Sequence, residues 1–451
     1  MNYFNPEDTI CAISTGGGMS AIAVIRISGR KSIEIVNSIF SKNIYEKKSH
    51  TIHFGNIINN NEIIDEVLIS IFKKKSSFTG EESVEISCHG SVYIQNKIVQ
   101  LLLERGCRTA TAGEFTMRAF KNGKMDLSQA ESVSDLIESE TKSAHKTAMH
   151  QLKGRFSEEL KKLRSKLIDF ASLIELELDF SEEDVEFADR KQFQNLLSEI
   201  KEKTEKLIHS FKLGNVIKNG IPVAILGAPN VGKSTLLNCL INEDKAIVSD
   251  IAGTTRDAIE DNLIIKGFNF RFIDTAGIRD TTDTIENLGI KKSYDKAKSA
   301  EIILFLIDET QDIKKQISAL KKVESLHKNK VLVIANKKDI SKQNIDINNS
   351  ISISAKKGEG IDILKNSLLD FIKSYQINDN ESIVTNLRHF DQLSLTLHEI
   401  NTIIEGLKSG LTGDFLAINI RQALFHLGSI TGEVTTDTIL GNIFGKFCIG
   451  K

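Results

Sequence analysis

The sequence has few of the residues that would mark it as a secreted, zinc-binding or membrane protein. It has no Trp, three Pro and five Cys among its 451 residues. An odd number of cysteines without a C-x-x-C pair argues against a disulfide framework or a zinc site, and favours a reducing compartment. No apolar run approaches the roughly 18 residues that a membrane span needs. The first residues, MNYFNPEDTI, resemble neither a signal peptide nor an Arg-rich presequence, so we expect a soluble cytoplasmic protein.

The sequence also has no excess of positive or negative charge. Lys and Arg number 58 and Asp and Glu 60, which gives a net charge of −2. No overall positive field therefore draws the chain to nucleic acid, and any RNA contact must come from a local patch or from a partner. With 40% hydrophobic and 26% charged residues the chain is globular, and its length suggests about three domains.

Three kinds of pattern follow one another along the chain. Short β-rich runs at 21–29, 66–72 and 83–90 predict an N-terminal α+β domain. Apolar residues three or four apart then predict an amphipathic helix from Leu152 to Phe180, and a second helical stretch covers 387–430. Between these helices, apolar strands alternate with helical segments, which is typical of a doubly wound α/β sheet. The predicted strands are 221–227, 271–277, 302–308, 331–336 and 351–355.

A phosphate-binding loop is the most specific motif. Residues 227–234 read GAPNVGKS, which fits G-x-x-x-x-G-K-[ST] between an apolar strand and a helix. Backbone N–H groups of such a loop surround the β-phosphate, and the helix N-terminus adds positive potential. Lys233 is then expected to reach the β- and γ-phosphates, while the Ser234 hydroxyl binds Mg²⁺.

Further motifs turn this NTPase signature into a GTPase signature. Asp274 begins a D-x-x-G motif (DTAG), in which the carboxylate holds Mg²⁺ through water and the Gly277 amide senses the γ-phosphate. Asp339, at the end of NKKD, can accept hydrogen bonds from the N1–H and N2–H₂ edge of guanine, an edge that adenine lacks. The SAK motif at 354–356 offers backbone amides to guanine O6.

A switch loop, DIAGTTRD at 250–257, completes the predicted site, with Thr255 as the second hydroxyl ligand of Mg²⁺. The residues predicted to contact the nucleotide are Asn230, Val231, Gly232, Lys233, Ser234, Thr235, Ser249, Asp250, Ile251, Ala252, Gly253, Thr254, Thr255, Asp274, Thr275, Ala276, Gly277, Asn336, Lys337, Lys338, Asp339, Ser354, Ala355 and Lys356.

Hydrolysis needs a group that orients water and a cation that offsets phosphoryl charge. Ile278 stands where many GTPases have a water-orienting Gln, and it cannot polarise water. Arg279, Asp280 and Glu286 are the alternatives, and we favour Glu286 because a carboxylate can align water. The Asn230 side chain can coordinate a monovalent cation such as K⁺, and Arg256 is the competing positive charge. Further oxygen ligands for K⁺ are available from Ser249, Ile251 and Thr254.

With these motifs the sequence resembles the MnmE (TrmE) family of tRNA modification GTPases over nearly its whole length. The resemblance rests on the G-domain motifs, on SFTGE at 77–81, on GEFTMRAFKNGKMDLSQAE at 113–131 and on the final FCIGK. It implies a Ras-like doubly wound G-domain inserted into an α-helical domain, preceded by an N-terminal α+β tetrahydrofolate-binding domain. The predicted limits are 1–122 for the N-terminal domain, 216–378 for the G-domain, and 123–215 and 379–451 for the helical domain.

The resemblance also implies cofactors and partners. It implies a homodimer that works with the FAD-dependent protein MnmG (GidA), in a heterotetramer or larger complex, on the wobble uridine of certain tRNAs. The one-carbon donor that it implies is 5,10-methylenetetrahydrofolate or a related tetrahydrofolate. The matching positions are Arg26, Glu85, Lys124 and Lys451 for folate, Asn230, Ser249, Ile251 and Thr254 for K⁺, and Glu286 for catalysis.

Four questions stay open on the residues alone, two about single residues and two about the function. Arg26 can be a paired structural arginine, and Cys448 can be an incidental thiol or a nucleophile near a one-carbon donor. A ribosome-assembly GTPase that acts as an RNA-binding switch is the alternative function, although the chain has one phosphate loop and no convincing KH-type GxxG loop. A regulatory switch GTPase is a third reading, and it would turn over GTP very slowly.

Overall fold

The protein is described by a computed structural model that covers residues 8–179, 190–245, 261–273, 299–326, 331–341, 349–373, 382–409 and 413–450. The chain divides into two compact units. The first comprises Met1–Glu138, Ala148–Glu205 and Asp391–Lys451, and the second comprises Ser139–Thr147 and Lys206–Phe390.

The helices of the described part follow one another along both units. In chain order they are α1 (Ser32–Asn37), α2 (Val92–Glu104), α3 (Glu114–Lys121), α4 (Leu127–Glu138), α5 (Lys142–Leu152), α6 (Arg155–Asp179), α7 (Arg190–Asn219), α8 (Lys233–Lys245), α9 (Ile313–Leu326), α10 (Ile361–Lys373), α11 (Leu387–Lys408), α12 (Gly413–Thr431) and α13 (Asp437–Phe444), with a 3-10 turn over Lys74–Ser76. In the described residues, no helix is both long and apolar enough to cross a membrane.

A six-stranded sheet forms the N-terminal part of the first unit. Its strands are β1 (Ile10–Ile13), β2 (Ile22–Ser28), β3 (Thr51–Asn59), β4 (Glu62–Phe72), β5 (Ser83–His89) and β6 (Arg108–Thr109), in the spatial order β3-β4-β5-β2-β1-β6. Neighbours are antiparallel except β1 and β6. Because side chains alternate between faces, one face buries Ile25, Ile69 and Ile86 against α1 and α2, and the other carries more polar residues. The predicted N-terminal α+β domain is confirmed.

Helices form a second core in the first unit. The stripe predicted from Leu152 to Phe180 is α6, and its residues Leu163, Leu167 and Ile174 are buried against α7, α11 and α12. Phe170 of α6 stacks on Phe193 of α7. The predicted helical stretch 387–430 is divided between α11 and α12.

The second unit contains the doubly wound sheet. Its strands are β7 (Ile221–Gly227), β8 (Asp261–Ile265), β9 (Phe268–Phe272), β10 (Ile302–Asp308), β11 (Val331–Asn336) and β12 (Ser350–Ser352), in the order β12-β11-β10-β7-β9-β8. All neighbours are parallel except β8 and β9. Buried residues of α8 and α10 cover one face, and those of α9 cover the other. Ligand-binding loops of such sheets lie at the carboxyl ends of the strands, where the nucleotide motifs are found.

Candidate functional site

The phosphate loop connects β7 to α8 through backbone conformations that side chains rarely allow. Gly227 has φ +150°, and a Cβ added there would lie 2.6 Å from the carbonyl oxygen of Leu306. Gly232 has φ +98°, and Asn230 between them is also left-handed, at φ +59°. The two glycines therefore allow the loop to fold tightly over the end of β10, with α8 starting directly behind it.

Lys233, the first residue of α8, folds back over this loop. Its ammonium donates to the carbonyl oxygens of Gly227 and Ala228, at 3.0 and 2.9 Å. Burial lowers the pKa of Lys233, because the charged form is poorly solvated there. A phosphate group next to this ammonium would favour the charged form again, which suits a residue that binds an anion. Ser234 and Thr235 follow in the first turn of α8.

Asn336 joins three motifs of the predicted nucleotide site. Its Nδ2 donates to the carbonyl oxygen of Val231 in the phosphate loop, at 2.8 Å. Its Oδ1 accepts from the backbone N–H of Ala355 in the SAK motif, at 3.0 Å. The side chain is buried, so both hydrogen bonds are protected from water. The structure thus brings together the phosphate loop, NKKD and SAK, as the sequence predicted.

The predicted guanine-binding carboxylate is held in place from the SAK motif. The Ser354 hydroxyl donates to Asp339 Oδ1, at 2.8 Å. This hydrogen bond, with the positive charges of Lys357 and Lys356, lowers the pKa of Asp339 and keeps it ionised. Its other oxygen, Oδ2, is then available to accept from N–H groups of a base.

The sequence analysis missed an ion pair beneath the NKKD motif. Asp308, at the end of β10, is fully buried, and its carboxylate accepts from Lys337 Nζ at 2.6 Å and from Thr310. Burial raises the pKa of Asp308, but the hydrogen bonds from Lys337 and Thr310 outweigh it and the net shift is downward. Lys337 has φ +72°, so the pair fixes a strained backbone next to Asn336. An aspartate that ends a wholly apolar strand, IILFLID, was the available signal.

Several predicted site residues lie outside the described part of the chain. They are the switch-loop positions Ser249, Asp250, Ile251, Ala252, Gly253, Thr254 and Thr255, the positions Asp274, Thr275, Ala276 and Gly277, the alternatives Arg256, Ile278, Arg279, Asp280 and Glu286, and Lys451. In the described residues no group of three or more His, Cys, Asp or Glu side chains could hold a metal ion.

A second cluster, in the first unit, contains the predicted folate residues. Arg26 on β2 and Glu85 on β5 are cross-strand partners, and Arg26 Nε donates to Glu85 Oε1 at 2.9 Å. The guanidinium carbon lies 5.6 Å from the ring centroids of both Phe78 and Phe115, so two aromatic rings flank the charge. Both side chains of the pair remain about a quarter exposed, at 25% and 27%. Arg26 is therefore paired, as a structural arginine would be, yet accessible to a ligand.

The C-terminal tail lies beside the Arg26–Glu85 pair, and Lys124 lies beside the SFTGE loop. The carbonyl oxygen of Gly450 accepts from Ser14 Oγ at 3.1 Å and from Arg26 Nη1 at 3.5 Å, which places the tail beside the ion pair. Cys448 is exposed. Lys124 lies against the SFTGE loop, since a Cβ added at Gly80 would be 3.4 Å from Lys124 Cγ. The sequence did not single out Phe78, Phe115 or Ser14.

A buried ionic network supports the SFTGE loop from behind. Arg118 is fully buried and pairs with Glu81 at 2.9 Å and with Glu114 at 3.1 Å. Glu114 also accepts a forked pair of hydrogen bonds from Arg108, at 2.7 and 3.0 Å. Burial raises the pKa of Glu114, but hydrogen bonds from Arg108 and the Thr111 N–H, with the charge of Arg118, bring it below its ordinary value. The network fixes the loop that carries Phe78.

Comparison with known proteins identifies the family of the chain. The family model of the MnmE helical domain matches residues 127–448, and that of the "GTP-binding protein TrmE N-terminus" matches residues 9–124. The tRNA modification GTPases MnmE of Flavobacterium psychrophilum and Bacteroides thetaiotaomicron are 54% and 50% identical to this chain. Each comparison covers 99% of this chain, and 99% and 100% of the respective relative. The chain therefore belongs to the MnmE family of tRNA modification GTPases.

Proposed function

We propose that this chain is a K⁺-activated GTPase that acts with MnmG (GidA) on tRNA. Together they install a carboxymethylaminomethyl or aminomethyl group at C5 of the wobble uridine of certain tRNAs. The observation that carries the GTPase part is the double hydrogen bond of Asn336, which holds the phosphate loop and the guanine-binding motifs in one site. Membership of the family supports the role in tRNA modification.

GTP and Mg²⁺ fit the described half of the nucleotide site. Backbone N–H groups from Val231 to Thr235 face the phosphates, Lys233 adds a positive charge, and Asp339 takes the guanine edge. Ser234 provides the hydroxyl in the first turn of α8 that binds Mg²⁺, and Thr255 provides the second. Bound Mg²⁺ offsets negative charge on the β- and γ-phosphates. Asp274 would help to hold the metal.

K⁺ and the catalytic carboxylate belong to the same proposal. Asn230 has a left-handed backbone and an exposed side chain, whose oxygen suits a K⁺ ligand. Ser249, Ile251 and Thr254 are the proposed remaining ligands, and bound K⁺ offsets phosphoryl charge. Glu286 aligns the attacking water in place of the absent Gln.

Folate fits the Arg26–Glu85 cluster by its donor chemistry. Glu85 uses Oε1 for Arg26, and no described residue bonds its Oε2, so that oxygen can accept from the N–H edge of a pterin. Phe78 offers a partly exposed ring beside the guanidinium. Lys124 and Lys451 are suited to the glutamate tail of the cofactor. Bound folate supplies the one-carbon unit.

The homodimer is proposed to form through the N-terminal domain. Ile52 and Phe54 of β3 and Leu68 of β4 are 65%, 55% and 45% exposed, and Phe54 and Leu68 are cross-strand partners. Exposed apolar side chains that adjoin on one sheet face are typical of protein interfaces. We propose the same domain limits as the sequence predicts: 1–122, 123–215, 216–378 and 379–451.

Nucleoside analysis of bulk tRNA tests the proposal. In a strain that lacks this chain we expect unmodified wobble uridines, restored by the parent gene. Unchanged wobble nucleosides in the deletion strain would exclude the modification role. GTP hydrolysis by the purified chain in K⁺ and in Na⁺ tests the cation, and Asn230→Ala should remove the difference between the two buffers.

A further inference from the structure

A compact basic surface lies at the end of the N-terminal sheet where β3 begins and β4 ends. It is formed by Tyr45, Lys47, Lys48, Lys73 and Lys74, and we call it the basic platform. Tyr45 is 49% exposed, the lysines other than Lys73 are exposed, and Lys73 is half-buried. None of the nucleotide or folate residues belongs to it.

The two segments of the platform are fixed to each other. Lys73 Nζ donates to the carbonyl oxygen of Tyr45 at 3.1 Å, and the Lys73 N–H donates to Ser49 Oγ at 3.0 Å. His50 and Lys74 both have left-handed backbones, at φ +61° and +42°. Such conformations cost about 1–3 kcal/mol each and persist where the surrounding structure imposes them. The platform is therefore a formed surface.

Its charge is unbalanced. From residue 41 to residue 61 the chain has three lysines and two histidines but a single carboxylate, Glu46, and residues 73–75 are three consecutive lysines. Within the described ranges, no carboxylate forms an ion pair with Lys47, Lys48, Lys73 or Lys74. In a chain of net charge −2, this is a local positive field that a polyanion can neutralise.

We propose that the basic platform binds an unpaired stretch of the substrate RNA. Lysines that are not paired with carboxylates contact phosphates, and the exposed ring of Tyr45 stacks on a base that is not in a helix. The aromatic ring favours an RNA loop over a paired stem, whose bases are already stacked. The inference rests on the proposed function in tRNA modification.

The location of the platform suits that role. Ile52, Ser70, Glu85 and Arg26 form one cross-strand row through β3, β4, β5 and β2. Lys73 is three residues past Ser70, and Arg26 is two strands from β4. With strands about 4.8 Å apart and about 3.3 Å per residue, Lys73 of the platform lies roughly 15 Å from Arg26 of the proposed folate site. A loop held on the platform has its neighbouring nucleotides within reach of the one-carbon donor.

Binding of a labelled tRNA transcript to the full-length chain between 50 and 200 mM KCl tests the inference. Lys47→Gln/Lys48→Gln/Lys74→Gln should weaken binding at least about tenfold and make the salt dependence shallower by about two to three units of log K per log salt. The matched control is Lys314→Gln/Lys321→Gln/Lys322→Gln, which removes the same charge from exposed positions of α9. The control should bind within about twofold of the parent, since its lysines lie outside the platform.

Stacking has a separate test. Tyr45→Ala should weaken binding to an RNA hairpin about five- to hundredfold, with little change for a blunt duplex of equal length, and Tyr45→Phe should restore it. Equal losses of tRNA affinity in the platform and α9 variants would overturn the inference, as would a parent chain that binds no tRNA. Urea unfolding followed by circular dichroism should give the same transition for the platform variants as for the parent, which shows that their N-terminal domain is folded. These binding experiments test the RNA-binding surface alone. Nucleoside analysis tests the proposed function separately, so a failure of one is distinct from a failure of the other.

Discussion

The side-chain amide of Asn336 donates a 2.8 Å hydrogen bond to the carbonyl oxygen of Val231, and so ties the guanine-binding motif to the phosphate loop. Gly232 lies against the same amide: a Cβ at position 232 would be 2.4 Å from Asn336 Nδ2. The two residues therefore depend on each other, because the loop can approach Asn336 only where it has no side chain. The motif predicted to bind the base is thus held directly against the phosphate loop.

Asn336→Ala should weaken both GTP and GDP binding. It removes two buried hydrogen bonds, worth about 1–3 kcal/mol together, which corresponds to about five- to a hundredfold in affinity. Titration of a fluorescent GDP analogue measures the change. Asn219→Ala is the control, because its amide donates to Asn215 on an exposed helix face, and it should bind as the parent does. Equal affinity of Asn336→Ala and parent would contradict the role of this side chain.

Asp339→Asn should exchange guanine specificity for xanthine specificity. Xanthine has a carbonyl oxygen where guanine has its N2 amino group, so a carboxamide can donate where the carboxylate accepted. We expect GTP binding to fall roughly a hundredfold or more and XTP binding to rise, measured by competition. Asp362→Asn, an exposed substitution on α10, should leave the preference as it is. A variant that still prefers GTP would show that Asp339 does not contact the base.

Glu286→Ala should hydrolyse GTP about a hundred- to ten-thousandfold more slowly while binding it normally, because general-base or water-aligning groups contribute on that scale. Single-turnover hydrolysis in K⁺ buffer separates the chemical step from binding. Glu324→Ala, on α9, is the control and should hydrolyse GTP at the parental rate. If Glu286→Ala did so too, Arg279 and Asp280 would become the residues to test.

Glu114→Gln should destabilise the N-terminal domain at neutral pH by roughly 1.5–3 kcal/mol, because the buried Arg118 keeps Glu81 as its partner but loses, with Arg108, the charge of Glu114. The pKa of Glu114 is lowered in the folded protein, so its carboxylate contributes stability above the ordinary value of 4.5. That contribution is lost as the pH falls through the lower, folded value.

Urea unfolding followed by circular dichroism at several pH values measures this effect. The difference in free energy of unfolding between the parent and Glu114→Gln should be largest near neutral pH and should vanish as the solution becomes acidic. Glu158→Gln, on the exposed face of α6, is the matched control. A difference in free energy of unfolding that stayed constant from pH 7 down to pH 3 would contradict the role of Glu114 as an ionised partner of Arg118.

Part of the fold was predictable from the pattern of apolar residues. β7, β10 and β11 begin and end at the predicted residues, because each is a short, continuous apolar run buried on both faces. β12 ends at Ser352 and not at 355, since Ser354 turns back to bridge Glu359 and to hold Asp339. β8 was missed, because it is an edge strand, antiparallel to β9, with an alternating and weaker signal.

The candidate sites, like the fold, were only partly predictable from the sequence. Motif spacing brought the phosphate loop, NKKD and SAK together correctly, since the carboxyl ends of parallel strands meet at one edge of a sheet. The pair of Lys337 with Asp308, and the rings of Phe78 and Phe115 around Arg26, join residues distant in sequence and carry no local pattern. They depend on how strands and loops pack, which spacing along the chain does not encode.

The most direct test of the central claim is nucleotide selectivity of the purified full-length chain, with GTP and ATP compared in Mg²⁺ and K⁺. The account predicts GTP binding and hydrolysis with at least a hundredfold preference over ATP, because the Asp339 carboxylate matches an edge that adenine lacks. Equal use of the two nucleotides, or binding of neither, would contradict it.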